Sequence, residues 1–194
     1  MARDNPVPDI GTLLAKPQIA LLGEVNEGMA RDLRDTLRKQ EGDRDDPVVI
    51  ELTTVGGDAE LARRMVADLD DARNRLARRR LVFSGRTTVY SAGTTLMSAF
   101  PVQDRYLSKD AMLMIHCRQL KQTVELDGPI RGSLPRVEAL LRQLQTGVSL
   151  EEEHFRRLIE GSDISMEELL EKALHNWYLP ASKALDRGLI ADIV

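Results

Sequence analysis

Three strand-length apolar runs constrain this fold more than any other feature of the sequence: "VVIEL" from Val48, "LVF" from Leu81 and "AMLMI" from Ala111. A strand buried on both faces reads as a continuous apolar run, whereas a strand with one wet face alternates. Helix-period segments separate the runs. "NEGMARDLRDTLRKQEG" predicts an amphipathic helix capped by Asn26 and ended at Gly42, with Met29, Leu33 and Leu37 on its apolar face. A second helix starts near Asp58 and carries Leu61, Met65, Leu69 and Leu76. Buried strands alternating with helices imply an α/β domain, a mainly parallel sheet covered on both faces through right-handed crossovers.

At 194 residues the chain is long enough to bury a core as a single domain, spanning 1–194, with no repeat or linker in sight. Its 27 basic and 31 acidic residues give a formal charge of −4, which gives no support to nucleic-acid binding. The start "MARDNPVPDIG" lacks the parts of a secretory signal, and no apolar run approaches the roughly 20 residues of a membrane span. A single cysteine, Cys117, forms no internal disulfide, so a cytoplasmic location is expected. That thiol reads as a half-buried strand-end residue rather than a nucleophile.

After His116 the pattern changes. "LKQTVELDGPI" looks extended but is interrupted by Gly128 and Pro129, and "SLPRVEALLRQLQTG" puts Val137, Leu140, Leu141 and Leu144 on one helical stripe. Capping boxes at Ser149–Glu152 and Ser165–Glu168 predict two further helix starts. "PASKALDRGLIADIV" predicts a helix stopped by Gly188 and a final strand.

In an open parallel sheet, reactive groups gather at the carboxyl ends of the strands. Here one strand ends in Gly56 and Gly57, one runs through a short loop to Ser91 at a helix start, and one ends at His116. A serine hydroxyl becomes a useful nucleophile when a histidine takes its proton and N–H groups receive the oxyanion. The amides of Gly57 and Ala92 would be those donors. Taken singly, Ser91 reads as a helix cap, His116 as a structural histidine and the diglycine as a turn. His116, His154 and His175 lack metal-site spacing and no phosphate-binding glycine loop is present, so no cofactor or metal is expected.

The order of these features resembles the Clp protease proteolytic subunit, the ClpP-type serine peptidase family. The residues that carry the resemblance are "LTTVGG", "YSAGTTLM", "LMIHC" and the tail "YLPASKALDRGLIADIV", with 25 residues from Ser91 to His116, and it runs from about Gln18 to Val194. It implies the ClpP/crotonase-like spiral of β-β-α units, with a strand-helix handle over about 120–160. It also implies stacked heptameric rings, a separate ATP-dependent unfoldase as partner, and peptides or unfolded proteins as substrates. By position Ser91 matches the nucleophile, His116 the general base, and the Gly57 and Ala92 amides the oxyanion hole. Asn176 stands where the family's aspartate orients the histidine; its amide oxygen can accept an N–H but brings no charge. Glu171 and Asp163 are the other acids that could approach His116. Three differences from the family's pattern stand out: a longer "GRTTVYS" loop, Thr53-Thr54-Val55 before the diglycine where the family has Ser-Pro, and a longer handle. Two other readings compete: a ring subunit without catalysis, motivated by Asn176, and a crotonase-type acyl-CoA enzyme, which shares the spiral and needs no serine.

Overall fold

The computed structural model describes residues 10–42, 44–76 and 79–194; the polar N-terminal tail lies outside them. After the short helix α1 (Ile10–Leu14), strand β1 (Ile19–Leu22) leads to α2 (Glu27–Lys39), β2 (Val48–Thr54) to α3 (Ala59–Arg75), and β3 (Leu81–Tyr90) to α4 (Ala92–Met97). Strands β4 (Arg105–Leu107) and β5 (Met112–Ile115) precede the long helix α5 (Ile130–Ile159). Helix α6 (Met166–Ala173), β6 (Trp177–Pro180), α7 (Ala181–Asp186) and β7 (Asp192–Ile193) close the chain. Asn26 and Ser165 cap as expected, accepting from the Met29 and Glu168 N–H groups, and Asp58, at the expected start of α3, accepts from Glu60 and Leu61.

The sheet runs β1-β2-β3-β4-β7 with all pairs parallel. Its apolar strands are buried as their composition demands: Val48, Val49 and Ile50 in β2, Leu81, Val82 and Phe83 in β3. Helices α2 and α3 pack Leu33, Leu37, Met65 and Leu69 against it, whereas α1 covers the opposite side of β2 and β3 with Leu14 on Val49 and Val82. This is an α/β domain with a mainly parallel sheet.

Strand β3 decides where the chemistry goes. Its first half pairs with β4 (Phe83 opposite Arg105), its second half with β5 (Val89 opposite Leu113). The changeover is a bulge: Leu52 of β2 pairs with Gly85, but Thr54 pairs with Val89, so β3 spends two extra residues there. Thr87 takes a φ of 52° in the bulge, a left-handed conformation unusual for a β-branched residue. A side chain at Gly85 would lie 2.5 Å from Leu107 Cδ2, so only glycine lets β4 approach before the strand is handed on. The segment "GRTTVYS", expected as a loop, is therefore mostly strand, its additional length absorbed by the bulge.

Helix α5 departs from the second expectation. Ser149 does not start a helix; it lies inside α5, and its hydroxyl donates to the Gln145 carbonyl one turn back at 3.1 Å. The reason is a continuous seam. Leu134, Val137, Leu141, Leu144 and Val148 recur every three or four residues and continue into the buried Phe155 and Leu158, so docking of the last turns propagates through the serine. Leu134, Leu141 and Val148 are more than half exposed, so the N-terminal part of the seam has no partner within the described chain. The extended start of the handle, expected from Leu120, forms no ladder over residues 120–129 among the described residues.

Candidate active site

Because the bulge carries β3 from β4 to β5, the residues that follow both strands are brought side by side. Ser91 donates its backbone N–H to the Met114 carbonyl at 2.8 Å, which draws it beside the end of β5. Its φ of 53° and ψ of −113° form a sharp strand-to-helix turn that a serine adopts only where the surroundings enforce it. The side chain makes no capping bond; the Ser91 carbonyl starts α4 by accepting from the Thr94 N–H at 2.9 Å and the Thr94 hydroxyl at 2.7 Å. The hydroxyl is free of structural duty and lies 2.7 Å from His116 Nε2.

The other ring nitrogen of His116 donates to the Cys117 carbonyl at 2.6 Å. A carbonyl can only accept, so this bond places the ring proton on Nδ1 and leaves the Nε2 lone pair for the Ser91 O–H. Asn176 comes to the position opposite His116, one step beyond the last β5–β6 pair, Ile115 with Trp177. Its φ is 59°, and among the described residues its side chain has no hydrogen bond to the ring. Asp163 instead accepts from Arg187 at 2.6 Å, and Glu171 makes no bond to His116.

The diglycine turn forms the facing wall. The Thr54 hydroxyl accepts from the Gly56 N–H at 3.0 Å, so a side-chain-backed turn takes the place of a proline. A side chain at Gly56 would come 2.9 Å from Ser91 Cβ, and one at Gly57 2.4 Å from the Val25 carbonyl oxygen. With φ values of 110° and 147° both positions demand glycine. Val25 bonds to Gly56 and Asp58 on either side, passing over the Gly57 N–H. The Ala92 N–H, first in α4, has no partner within the helix. Among the described residues neither amide has a backbone acceptor outside the regular elements. Gly93, beside them, serves packing rather than access: a side chain there would lie 2.6 Å from Thr54 Cγ2.

Gly57, Ser91, Ala92 and His116 share a cleft of about 370 Å³ whose other wall includes Arg118 and Glu151. A larger cavity of about 490 Å³, beside Arg73, Arg105 and Arg157, has no nucleophile and histidine together on its wall. Burial, reinforced by the nearby Glu151 carboxylate, pushes the Cys117 thiol up to about 11, so at neutral pH it is protonated and a poor nucleophile. Burial lowers the His154 pKa, so that ring is neutral at neutral pH. Among the described residues no group of three or more His, Cys, Asp or Glu could hold a metal ion, and no helix is long and apolar enough to cross a membrane. The Cys117 carbonyl and Glu151 were not among the candidates read from the sequence. A backbone carbonyl has no sequence signal; Glu151 had one, as the charged member of an otherwise apolar seam.

No family model matches the chain. It is similar to the ATP-dependent Clp protease proteolytic subunit 2 of Pseudomonas aeruginosa, with 23% identity over 177 residues, covering 91% of this chain and 80% of that protein. Among solved structures it superposes on an Asn-to-Asp mutant of ClpP1 from Listeria monocytogenes with a TM-score of 0.71 at 20% identity, covering 91% of this chain and 90% of the other. The sequence relative and the structural neighbour point the same way: the chain is similar to ClpP-type proteins and has a ClpP/crotonase-like fold.

Proposed function

We propose that this chain is a serine endopeptidase in which Ser91 is the nucleophile and His116 the general base, with the Gly57 and Ala92 amides as the oxyanion hole. The observation that carries the reading is the 2.7 Å contact between Ser91 Oγ and His116 Nε2, made by a serine in a strained turn. As Oγ attacks a peptide carbonyl, its proton passes to Nε2 and the carbonyl oxygen becomes the oxyanion, held by the two amides. The imidazolium then gives that proton to the departing amine. Water, deprotonated by the same nitrogen, attacks the ester, and Oγ regains its proton as the acid leaves.

Among the described residues no carboxylate bonds His116 directly and Asn176 makes no bond to it, so the Cys117 carbonyl orients the ring. Without an adjacent charge the imidazolium is less stabilised, which supports a slow intrinsic turnover. A fluorophosphonate probe tests the reading, with expected labelling of Ser91 in the folded chain and none in Ser91→Ala. A folded, assembled protein that never labels would move the chain to the second reading, a ring subunit without catalysis.

The exposed seam of α5 supports assembly with further copies of this chain through the handle, as stacked rings around a closed chamber, with a separate unfoldase delivering polypeptide. Introducing charge by Val137→Glu with Leu141→Glu, both now about half exposed, is expected to shift the sedimentation profile to smaller species without unfolding the domain.

A further inference from the structure

Glu151 is the anomaly of α5. It continues the seam between Val148 and Phe155, where every other position named above is apolar, and it is only 8% exposed. Burying a carboxylate is costly unless it is paired and hydrogen-bonded, and among the described residues no Lys, Arg or His side chain lies within ion-pair distance of it. The adjacent cation does not neutralise it: the Arg118 guanidinium is turned to Glu60 on α3. What Glu151 does accept is the backbone N–H of Arg118.

That N–H belongs to the same peptide group as the Cys117 carbonyl, which receives the Nδ1 proton of His116. One continuous chain of hydrogen bonds therefore runs from the Glu151 carboxylate through the Cys117–Arg118 peptide to His116 and on to Ser91 Oγ. We infer that Glu151 is a positioning residue for the reaction, acting on His116 through this peptide group; the inference rests on the peptidase reading above. An anion on the N–H side of a peptide polarises it and makes its carbonyl oxygen a stronger acceptor. The stronger acceptor holds the proton on Nδ1 and stabilises the imidazolium that forms during attack. Glu151 also fixes the plane of the peptide, hence the orientation of the ring. It supplies at one remove what an aspartate on Nδ1 would supply directly. The raised pKa of Cys117 fits this arrangement, since a protonated thiol beside Glu151 adds no competing negative charge.

The test compares fluorophosphonate labelling of the full chain with that of Glu151→Gln, Glu151→Leu and Glu151→Asp, separating probe binding from the maximal rate. Glutamine keeps an oxygen for the Arg118 N–H without the charge, and leucine restores the apolar seam. For both, the maximal rate is expected to fall about 10-fold or more, the usual size of losing an outer orienting partner, with probe binding and melting temperature retained. Aspartate is expected to restore part of the rate. Histidine ¹⁵N spectra supply a readout independent of labelling, with the neutral His116 proton on Nδ1 in the parent chain and shared between both nitrogens in Glu151→Leu. A variant that keeps the parent rate and spectrum overturns the inference, as does a loss that follows melting temperature or probe binding. If the parent chain does not label, the peptidase reading fails by itself, and an unchanged His116 spectrum in Glu151→Leu would then remove the positioning role too.

Discussion

His116→Ala is expected to slow acylation of Ser91 by about 10²–10⁴-fold, the range over which a positioned general base acts. The fold gives this substitution a clean reading. His116 follows β5 rather than lying within it, is only partly buried, and among the described residues its ring bonds only Ser91 and the Cys117 carbonyl. Neither bond holds secondary elements together. Melting temperature should hold while labelling collapses, and a stable His116→Ala protein that labels at the parent rate would remove the base from the proposed mechanism. The rate that remains reports on the proposed oxyanion donors together with probe binding, because the Gly57 and Ala92 amides are set by the diglycine turn and the start of α4 rather than by His116.

The strands and the Ser91–His116 pair were legible in the sequence for a common reason. Apolar runs such as "AMLMI" report burial directly, and residues that follow parallel strands are brought to one edge by the topology. What stayed hidden depended on backbone geometry or on tertiary override. Nothing in "GRTTVYS" announces that Thr87 takes a left-handed conformation to pass β3 from one neighbour to the next. Ser149 with Glu152 satisfies the capping pattern, but Phe155 and Leu158 are anchored in the core and α5 runs straight through. For the ring of His116 the sequence offered three side chains, Asn176, Glu171 and Asp163, whereas the observed acceptor is a main-chain oxygen one residue away. Glu151 could have been suspected from its place in the seam, yet its link to His116 passes through a peptide group that every sequence possesses.

Arg105→Ala is expected to destabilise the domain by more than about 3 kcal/mol, because it leaves several buried carbonyls without donors at roughly 1–3 kcal/mol each, with incomplete additivity. Arg105 is 1% exposed and opens β4, the strand that β3 relinquishes at its bulge. Its guanidinium donates to the Phe100 carbonyl at 2.6 Å, to Leu158 at 2.6 Å and Leu189 at 3.3 Å, and to Arg157 at 3.0 Å. Two of these acceptors, Arg157 and Leu158, belong to the last turn of α5, where a cation also meets the negative end of the helix dipole. Burial lowers the guanidinium pKa to about 10, so it is still charged at neutral pH and can serve all four acceptors. Lysine cannot replace it: a single ammonium has three donors at one point, whereas these acceptors surround a planar fork. Arg105→Lys is therefore expected to recover only part of the loss, read as the denaturant midpoint at fixed protein concentration. Because Arg105 ties the base of α5 to the sheet, the damage should extend to Glu151 two turns earlier on the same helix. Ser91 labelling in Arg105→Lys should then fall at temperatures where the domain is still folded, whereas an unchanged labelling rate up to the melting transition would separate the anchoring of α5 from the site.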